Sequence, residues 1–177
     1  MRATLVSLLI VAGGCASPKP GAAIADMRDM PIVGTSAVRM TSNDGPMVNL
    51  VPFPLDRVWG VLPSIYDSLG IRIDQIDPKQ HVVGSAGFKV HRRLGKVALS
   101  RLIDCGSTQG FPSADEYDVH LSVLTQLETN KDGPTSVATK VESAARPMAF
   151  SGAYAKCSSK GVLETMIANA VTRQLER

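Results

Sequence analysis

The stretch "EYDVHLSVLTQLET" at residues 116–129 alternates apolar and polar side chains over most of its length. The apolar positions are Tyr117, Val119, Leu121, Val123 and Leu127. The polar positions between them include Asp118, His120, Ser122, Gln126 and Glu128. Because successive side chains of a strand point to opposite faces, this pattern predicts a long antiparallel strand with one buried face and one wet face.

Further strands are predicted on both sides of this stretch. After it, "NKDGP" at 130–134 predicts a hairpin loop with Gly133 at a positive φ. The return strand has Val137, Thr139 and Val141 on one face and Lys140 and Glu142 on the other. Before it, "MVNLV" at 47–51 has strand composition, and Ile71, Ile73 and Gln75 alternate with Arg72 and Asp74. "DPKQ" then turns the chain into a strand that has Val82, Gly84, Ala86, Phe88 and Val90 on one face.

Two helices are predicted from apolar residues that recur at helical spacing. The first follows Pro54 and ends at Gly70, and its stripe is Leu55, Val58, Leu62, Ile65 and Leu69. Pro63 lies inside it and predicts a kink or a break, because proline lacks a donor and clashes with the preceding turn. The second helix follows Ser158 or Ser159 as N-cap, with a stripe of Leu163, Ile167, Val171 and Leu175. The expected fold is therefore α+β: an antiparallel sheet of about four to five strands packed against an N-terminal and a C-terminal helix.

The N-terminus predicts export. Arg2 precedes an apolar run at residues 5–12, which is well short of the roughly 20 residues needed to span a bilayer. The run ends in "AGGC", which resembles the lipobox of bacterial lipoproteins. That resemblance implies cleavage after residue 14 and acylation of Cys15, and Ala16 after the cysteine implies sorting to the outer membrane. The alternative is an ordinary cleaved signal with a bystander cysteine.

The expected domain boundaries follow from this interpretation. Residues 1–14 are a signal peptide, residues 15–46 are the lipidated Cys15 and a flexible tether, and residues 47–177 are a single α+β domain. The tether is rich in Ala, Ser, Pro and Gly and has no sustained apolar period. The chain has 19 Lys+Arg against 16 Asp+Glu, and this near balance, without basic clusters interleaved with aromatics, argues against nucleic acid as a partner.

Two cysteines, Cys105 and Cys157, remain if Cys15 carries a lipid. Paired thiols in an exported chain are normally bridged, so we expect a disulfide between these two. Two free thiols or a metal pair are the alternatives. A zinc site normally takes four Cys or His ligands at short spacings, and no Cys-x-x-Cys or paired-His motif is present, so no metal or other cofactor is expected.

"PLDRVWGVLPSIYDSLGIRIDQIDPKQHVVGSA" at 54–86 is similar to the repeated domain of BamC-type outer-membrane assembly lipoproteins. The similarity is carried by Trp59, Gly70, Ile73, Asp77 and the pair Val82-Val83. It implies a lipid-anchored protein with an extended segment after the lipid and a helix-grip domain, in which a long helix lies across an antiparallel sheet.

Few residues in the sequence suggest a catalytic or binding role. Asp118, His120 and Ser122 are the nearest approach to a Ser/His/Asp set, but they lie on what we expect to be an open, solvated strand face without a cleft or an oxyanion hole. "KVHRRLGK" gathers Lys89, His91, Arg92, Arg93 and Lys96, and it predicts either contact with anionic headgroups or peptidoglycan carboxylates, or a solvated loop. Trp59 is either a core residue or an exposed partner anchor.

The leading functional expectation is a non-enzymatic, lipid-anchored interaction module of the cell envelope, accessory to outer-membrane protein assembly. Its partners would be the membrane, through the lipid, and an envelope protein. The alternative is a carrier of a small apolar ligand or lipid held between helix and sheet. A hydrolase acting through His120 is the third hypothesis.

Overall fold

The computed structural model describes residues 45–129, 133–149 and 151–177. The expected signal peptide, the lipidated Cys15 and all but the last two residues of the tether lie outside the described residues, as do residues 130–132 of the hairpin loop. The described chain is α+β, as predicted. No helix in the described part of the chain is long and apolar enough to cross a membrane.

One large antiparallel sheet organises the domain. Its strands are β1 (Met47–Val51), β2 (Gln75–Asp77), β3 (Val82–His91), β6 (Ile103–Asp104), β9 (Asp118–Thr129), β10 (Thr135–Arg146) and β11 (Ala155–Ser159). The order is β2-β3-β9-β10-β11-β6, and β1 also pairs with β10. The sheet has seven strands, so the expected four to five was wrong. The unpredicted strands β6 and β11 are short and lack an alternating apolar pattern, because β6 has two residues and β11 reads "AKCSS".

Two small hairpins and four helices complete the described fold. The hairpins are β4 (Arg93–Leu94) with β5 (Val97–Ala98), and β7 (Ser107–Thr108) with β8 (Phe111–Pro112). The helices are α1 (Leu55–Ser68), α2 (Leu99–Leu102), α3 (Ser113–Glu116) and α4 (Val162–Leu175). The two long helices touch through Gln174, whose side-chain amide donates to the Ser64 hydroxyl oxygen at 2.9 Å, and both contribute to one apolar core.

Strands β9 and β10 form the centre of the sheet, paired in register from Thr129↔Thr135 to Asp118↔Arg146. The predicted apolar face of β9 lies in the core, where Val119, Leu121 and Val123 are fully buried. α1 adds Val58, Leu62 and Ile65 as predicted, and also Tyr66. The Tyr66 hydroxyl lies 2.8 Å from Thr125 Oγ1, which lies 2.8 Å from Thr139 Oγ1, so a hydrogen-bonded chain links α1 to β9 and β10.

A bulge in β3 overturns the predicted face of that strand. The register against β9 shifts between Ser85 and Phe88, so Val83 joins Phe88 and Val90 at the core while Val82 and Gly84 face the other way. The Asp74 carboxylate accepts hydrogen bonds from the Ala86 amide and from the Ser85 hydroxyl, both at 2.8 Å. Residues 71–74, predicted as the start of a strand, are therefore irregular, and β2 begins only at Gln75.

Two predictions about the helices, the kink at Pro63 and the start of the second helix, also differ from the structure. α1 runs unbroken through Pro63, although proline offers no amide hydrogen to the carbonyl of Trp59. Pro63 is exposed, so water can reach that carbonyl's side of the helix. α4 starts after Gly161, whose φ is +72°, and not after Ser158 or Ser159, which belong to β11. The Ser159 hydroxyl accepts the Gly161 amide at 3.1 Å and donates to Glu164 Oε1 at 2.6 Å.

Candidate functional site

The two cysteines that follow Cys15 form the expected disulfide. Cys105 lies in the loop after β6 and Cys157 lies in β11, with Cα atoms 4.4 Å apart and a separation of 52 positions in sequence. Strand pairing joins the same two segments, since Ser158 and Ser159 pair with Asp104 and Ile103. The bond therefore fastens the edge of the sheet five residues before α4 begins.

Strand β1 presents an apolar sheet edge. It pairs with β10 on one side, from Met47↔Thr139 to Val51↔Thr135, and no other described strand pairs with it. Val48 is 56% exposed and Leu50 is 64% exposed, and the strand has no charged residue. An edge strand has a row of unpaired backbone amides and carbonyls, and natural proteins usually protect such a row with charge, a bulge or a cover. β1 has none of these within its five residues.

A notch interrupts the same side of β10. The pairing of β1 with β10 extends to Thr139, opposite Met47, and the pairing of β11 extends to Ser143, opposite Cys157. No described strand therefore pairs with residues 140–142 on this side. A pocket of about 180 Å³ lies there, lined among others by Met47, Glu142, Lys156 and Glu164. Its lining is partly charged, and it opens at the sheet edge. Its walls include residues of the sheet and Glu164 of α4.

The polar face of β9 is not solvated, which corrects the prediction of an open face. His120 is 2% exposed, and Ser122, Gln126 and the neighbouring Lys140 are buried as well. The cause at His120 is Tyr154, which comes from beyond β10. Its hydroxyl lies 3.0 Å from His120 Nε2, and the two rings meet edge to face with centroids 4.6 Å apart. Lys140 is buried as an ion pair, with Nζ 2.8 Å from Glu142 Oε1.

The electrostatics around His120 favour the neutral ring. Burial lowers its pKa from the ordinary value of 6.5, and the cations of Lys89 and Arg146 lower it further, while Asp118 opposes the shift. Arg146 also stacks on Tyr154, with its guanidinium carbon 4.5 Å from the ring centroid. These contacts explain how a polar cluster is held on the sheet.

Two of the three residues that come nearest to a Ser/His/Asp set have other partners. The Ser122 hydroxyl donates to the Ser85 carbonyl oxygen at 3.1 Å, and His120 Nε2 is bonded to Tyr154. In a hydrolase the imidazole would instead accept the proton of the nucleophilic hydroxyl. Among the described residues, no group of three or more His, Cys, Asp or Glu is arranged to hold a metal ion.

The basic residues of "KVHRRLGK" occupy the end of β3 and the β4–β5 hairpin. Lys89, His91, Arg92, Arg93 and Lys96 are all exposed, whereas Leu94 between them is buried in the core. The guanidinium of Arg93 donates to the Lys96 carbonyl oxygen at 3.0 Å. Lys89 pairs across the strands with His120, and the same row continues through Ala144 to Lys156. The structure thus extends the predicted basic cluster toward the other side of the sheet.

Trp59 lies at the rim of the core. It is half-buried on α1, packs against the apolar cluster, and meets the His81 ring edge to face at 5.5 Å. It is therefore neither a fully buried core residue nor a freely exposed anchor.

Comparisons with known proteins add no family. No protein-family model matches the chain, and no curated protein matches it.

Sequence reasoning missed three features of these surfaces. The edge position of β1 had a signal, because Pro46 and Pro52 flank the strand and proline in sheets is confined mainly to edges and strand ends. The exposed Phe111 also had one, since "TQGF" places a glycine in a tight turn. The contact of Tyr154 with His120 joins residues 34 apart and has no local signal.

Proposed function

We propose that this protein is a non-enzymatic interaction module of the bacterial cell envelope, in which β1 accepts an extended segment of a partner protein as an additional strand. The observation that carries this proposal is the outer edge of β1, which pairs with no other described strand and on which Val48 and Leu50 are exposed. Strand addition obtains affinity from backbone hydrogen bonds, and it obtains specificity from alternate side chains.

The chemistry of the edge defines the partner segment. Val48 and Leu50 alternate with Asn49, so both project from the face of the sheet opposite α4, beside Ala138 and Ser136 of β10. A partner strand with apolar residues at matching alternate positions would cover both side chains. A partner with charged residues there would bury them against apolar groups, which costs free energy unless they are paired.

The proposed location depends on the N-terminus. Acylation of Cys15 would hold the domain at the outer membrane on a tether of residues 15–46. The Cys105–Cys157 disulfide supports an oxidising compartment, because such bonds persist in exported proteins and are rare in the cytosol. The similarity of residues 54–86 to BamC-type lipoproteins supports a helix-grip arrangement of α1 on the sheet and a role accessory to outer-membrane protein assembly.

Site-specific photocrosslinking in bacterial cells tests the proposal. A photoreactive side chain at position 50 should give a discrete crosslinked product, whereas one at Ile76 on β2 should not. Ile76 is a matched control because it is 58% exposed on the opposite edge strand. Leu50→Lys should abolish a crosslink formed from position 48, and Ile76→Lys should leave it unchanged. Equal products from positions 50 and 76, or none from position 50, would contradict the proposal.

A further inference from the structure

The β7–β8 hairpin holds an aromatic side chain in solvent. Its two turn residues, Gln109 and Gly110, have φ values of +53° and +84°, as a type I′ hairpin turn requires. Phe111 follows the turn and is 66% exposed. Exposure of about two thirds of so large an apolar residue forgoes most of the stabilisation that its burial would give, which makes the hairpin a candidate contact point.

Side-chain hydrogen bonds fix this hairpin to the domain. The Thr108 hydroxyl oxygen lies 2.6 Å from the Tyr117 hydroxyl and 3.0 Å from the Ser113 hydroxyl. The Ser113 amide donates to the Gly106 carbonyl oxygen at 2.9 Å, and Cys105 just before it is tied to β11 by the disulfide. Phe111 is paired directly with Thr108, so the same bonds hold the backbone of Phe111 in position.

Tyr117 connects this hairpin with the basic residues. Its hydroxyl contacts Thr108, and its carbonyl oxygen accepts a hydrogen bond from His91 Nδ1 at 3.3 Å. The exposed cations are Lys89, Arg92, Arg93 and Lys96. Four carboxylates flank the hairpin in the chain: Asp104, Asp115, Glu116 and Asp118. Asp104 and Asp115 accept the backbone amides of Gly106 and Ser100, and Asp118 is half-buried. Residues 89–96 themselves contain no carboxylate, and Tyr117 links this basic segment to the hairpin that exposes Phe111.

We propose that Phe111 and the basic residues Lys89, Arg92, Arg93 and Lys96 form one docking surface for an anionic lipid bilayer. An aromatic ring inserts at the boundary between headgroups and acyl chains, and flanking Lys and Arg contact anionic headgroups. Charge complementarity favours an anionic membrane, and the phenyl ring favours a bilayer over a soluble polyanion. This inference rests on the proposed function for the lipid anchor that brings the domain to a membrane, and it fixes which end of the domain faces the lipid.

Hydroxyl-radical footprinting of the full chain in lipid nanodiscs tests the orientation. Discs of phosphatidylglycerol and discs of phosphatidylcholine are compared, and labelling of each residue is measured by mass spectrometry. Labelling of Phe111 should fall severalfold in the anionic discs, while that of Leu50 and Ile76, which are similarly exposed, should not change. Equal labelling of Phe111 in both kinds of disc would overturn the docking surface.

Variants separate the two components of the surface. Each Lys or Arg near an anionic membrane contributes about a fivefold factor in partitioning, so Arg92→Gln with Arg93→Gln should reduce the anionic preference by roughly 25-fold. Lys79→Gln with Arg177→Gln removes two exposed charges elsewhere and is the control. Phe111→Ser should weaken binding to the anionic discs as well. Binding that needs the arginines but not Phe111 would identify a polyanion site and overturn the bilayer proposal.

Failure of the anchor and failure of the surface have different readouts. A chain that remains on both kinds of disc but shows unchanged Phe111 labelling contradicts only the docking surface. A chain that stays on anionic discs alone, with Phe111 protected, contradicts the anchor but supports the surface. A chain that leaves both kinds of disc contradicts both proposals.

Discussion

The Tyr154 hydroxyl lies 3.0 Å from Nε2 of His120, and this contact closes a face of the sheet that alternation alone predicts to be wet. The guanidinium of Arg146 also stacks on the ring of Tyr154. Tyr154, which lies beyond the end of β10, therefore organises the polar cluster. On the face of the sheet opposite the helices, the polar side chains at this end of β9 are therefore buried and specifically paired.

Lowering the pH should destabilise the fold through His120. Burial, Lys89 and Arg146 depress its pKa in the folded state, so above pH 6.5 the ring is neutral in both states and no penalty applies. As the pH falls below 6.5, the unfolded chain binds the proton first, and the free energy of unfolding falls. Denaturant titrations from pH 7.5 to 5.5 should show this fall in the parent chain. The fall in the free energy of unfolding should be smaller in His120→Gln, whereas the control His91→Gln should show the same fall as the parent. Equal pH slopes in the parent and His120→Gln would refute the assignment of the pH dependence to His120.

Tyr66→Phe should lower the free energy of unfolding by about 1 kcal/mol, because the substitution removes a buried hydrogen bond but keeps the ring. The effect is limited because Thr125 keeps its bond to Thr139. Burial also raises the pKa of the Tyr66 hydroxyl, so it stays protonated. Urea unfolding monitored by circular dichroism measures the difference, and a variant as stable as the parent would show that this chain of hydroxyls contributes nothing.

Two glycine substitutions should have opposite signs. A Cβ at Gly84 would overlap the carbonyl oxygen of Val123 on the neighbouring strand, so Gly84→Ala should destabilise the domain by a few kcal/mol. A Cβ at Gly60, on the exposed side of α1, meets nothing within 4 Å, so Gly60→Ala should stabilise it by about 0.5–1 kcal/mol. Melting temperatures of the two variants provide the comparison. A Gly84→Ala variant as stable as the parent would argue against the close packing of β3 on β9.

Removing the disulfide should cost about 4 kcal/mol of stability in the chain-entropy model, because the bond closes a loop of 52 residues. The double variant Cys105→Ser, Cys157→Ser should unfold at markedly lower urea concentration than the parent. A reducing agent should destabilise the parent to a similar extent and leave the double variant unchanged. A parent chain insensitive to reduction would indicate that the bond does not support the fold.

The strongly periodic parts of the sequence predicted their structure well, and the non-local parts did not. β9, β10, α1 and α4 were identifiable because each has apolar residues that recur at strand or helix spacing along its sequence. The bulge after Ser85 changed which residues of β3 face the core. Gly84 lies just before it and Gly87 lies within it, and glycine inside a strand indicates a bulge, but the alternating pattern alone did not show the shift. Two-residue strands such as β6 form because a neighbour supplies the hydrogen bonds, so their own residues contain little information.

For the candidate surfaces, too, local features were predictable from the sequence and long-range contacts were not. The pairing of Cys105 with Cys157 was predictable because only two cysteines follow Cys15. That β1 is a strand was also predictable, but that its outer edge has no described partner depends on the order of strands in the sheet. The proximity of Phe111 to the basic residues depends on Tyr117, which links three segments that are separate in sequence.

Backbone hydrogen exchange of β1 in the purified protein and in isolated envelope membranes tests the central claim most directly. A partner strand would hydrogen-bond the outward amides of residues 48–51, so their exchange should slow at least about tenfold in membranes, while the amides of β2 exchange at the same rate in both samples. Equal exchange of residues 48–51 in the two samples would contradict strand addition at β1.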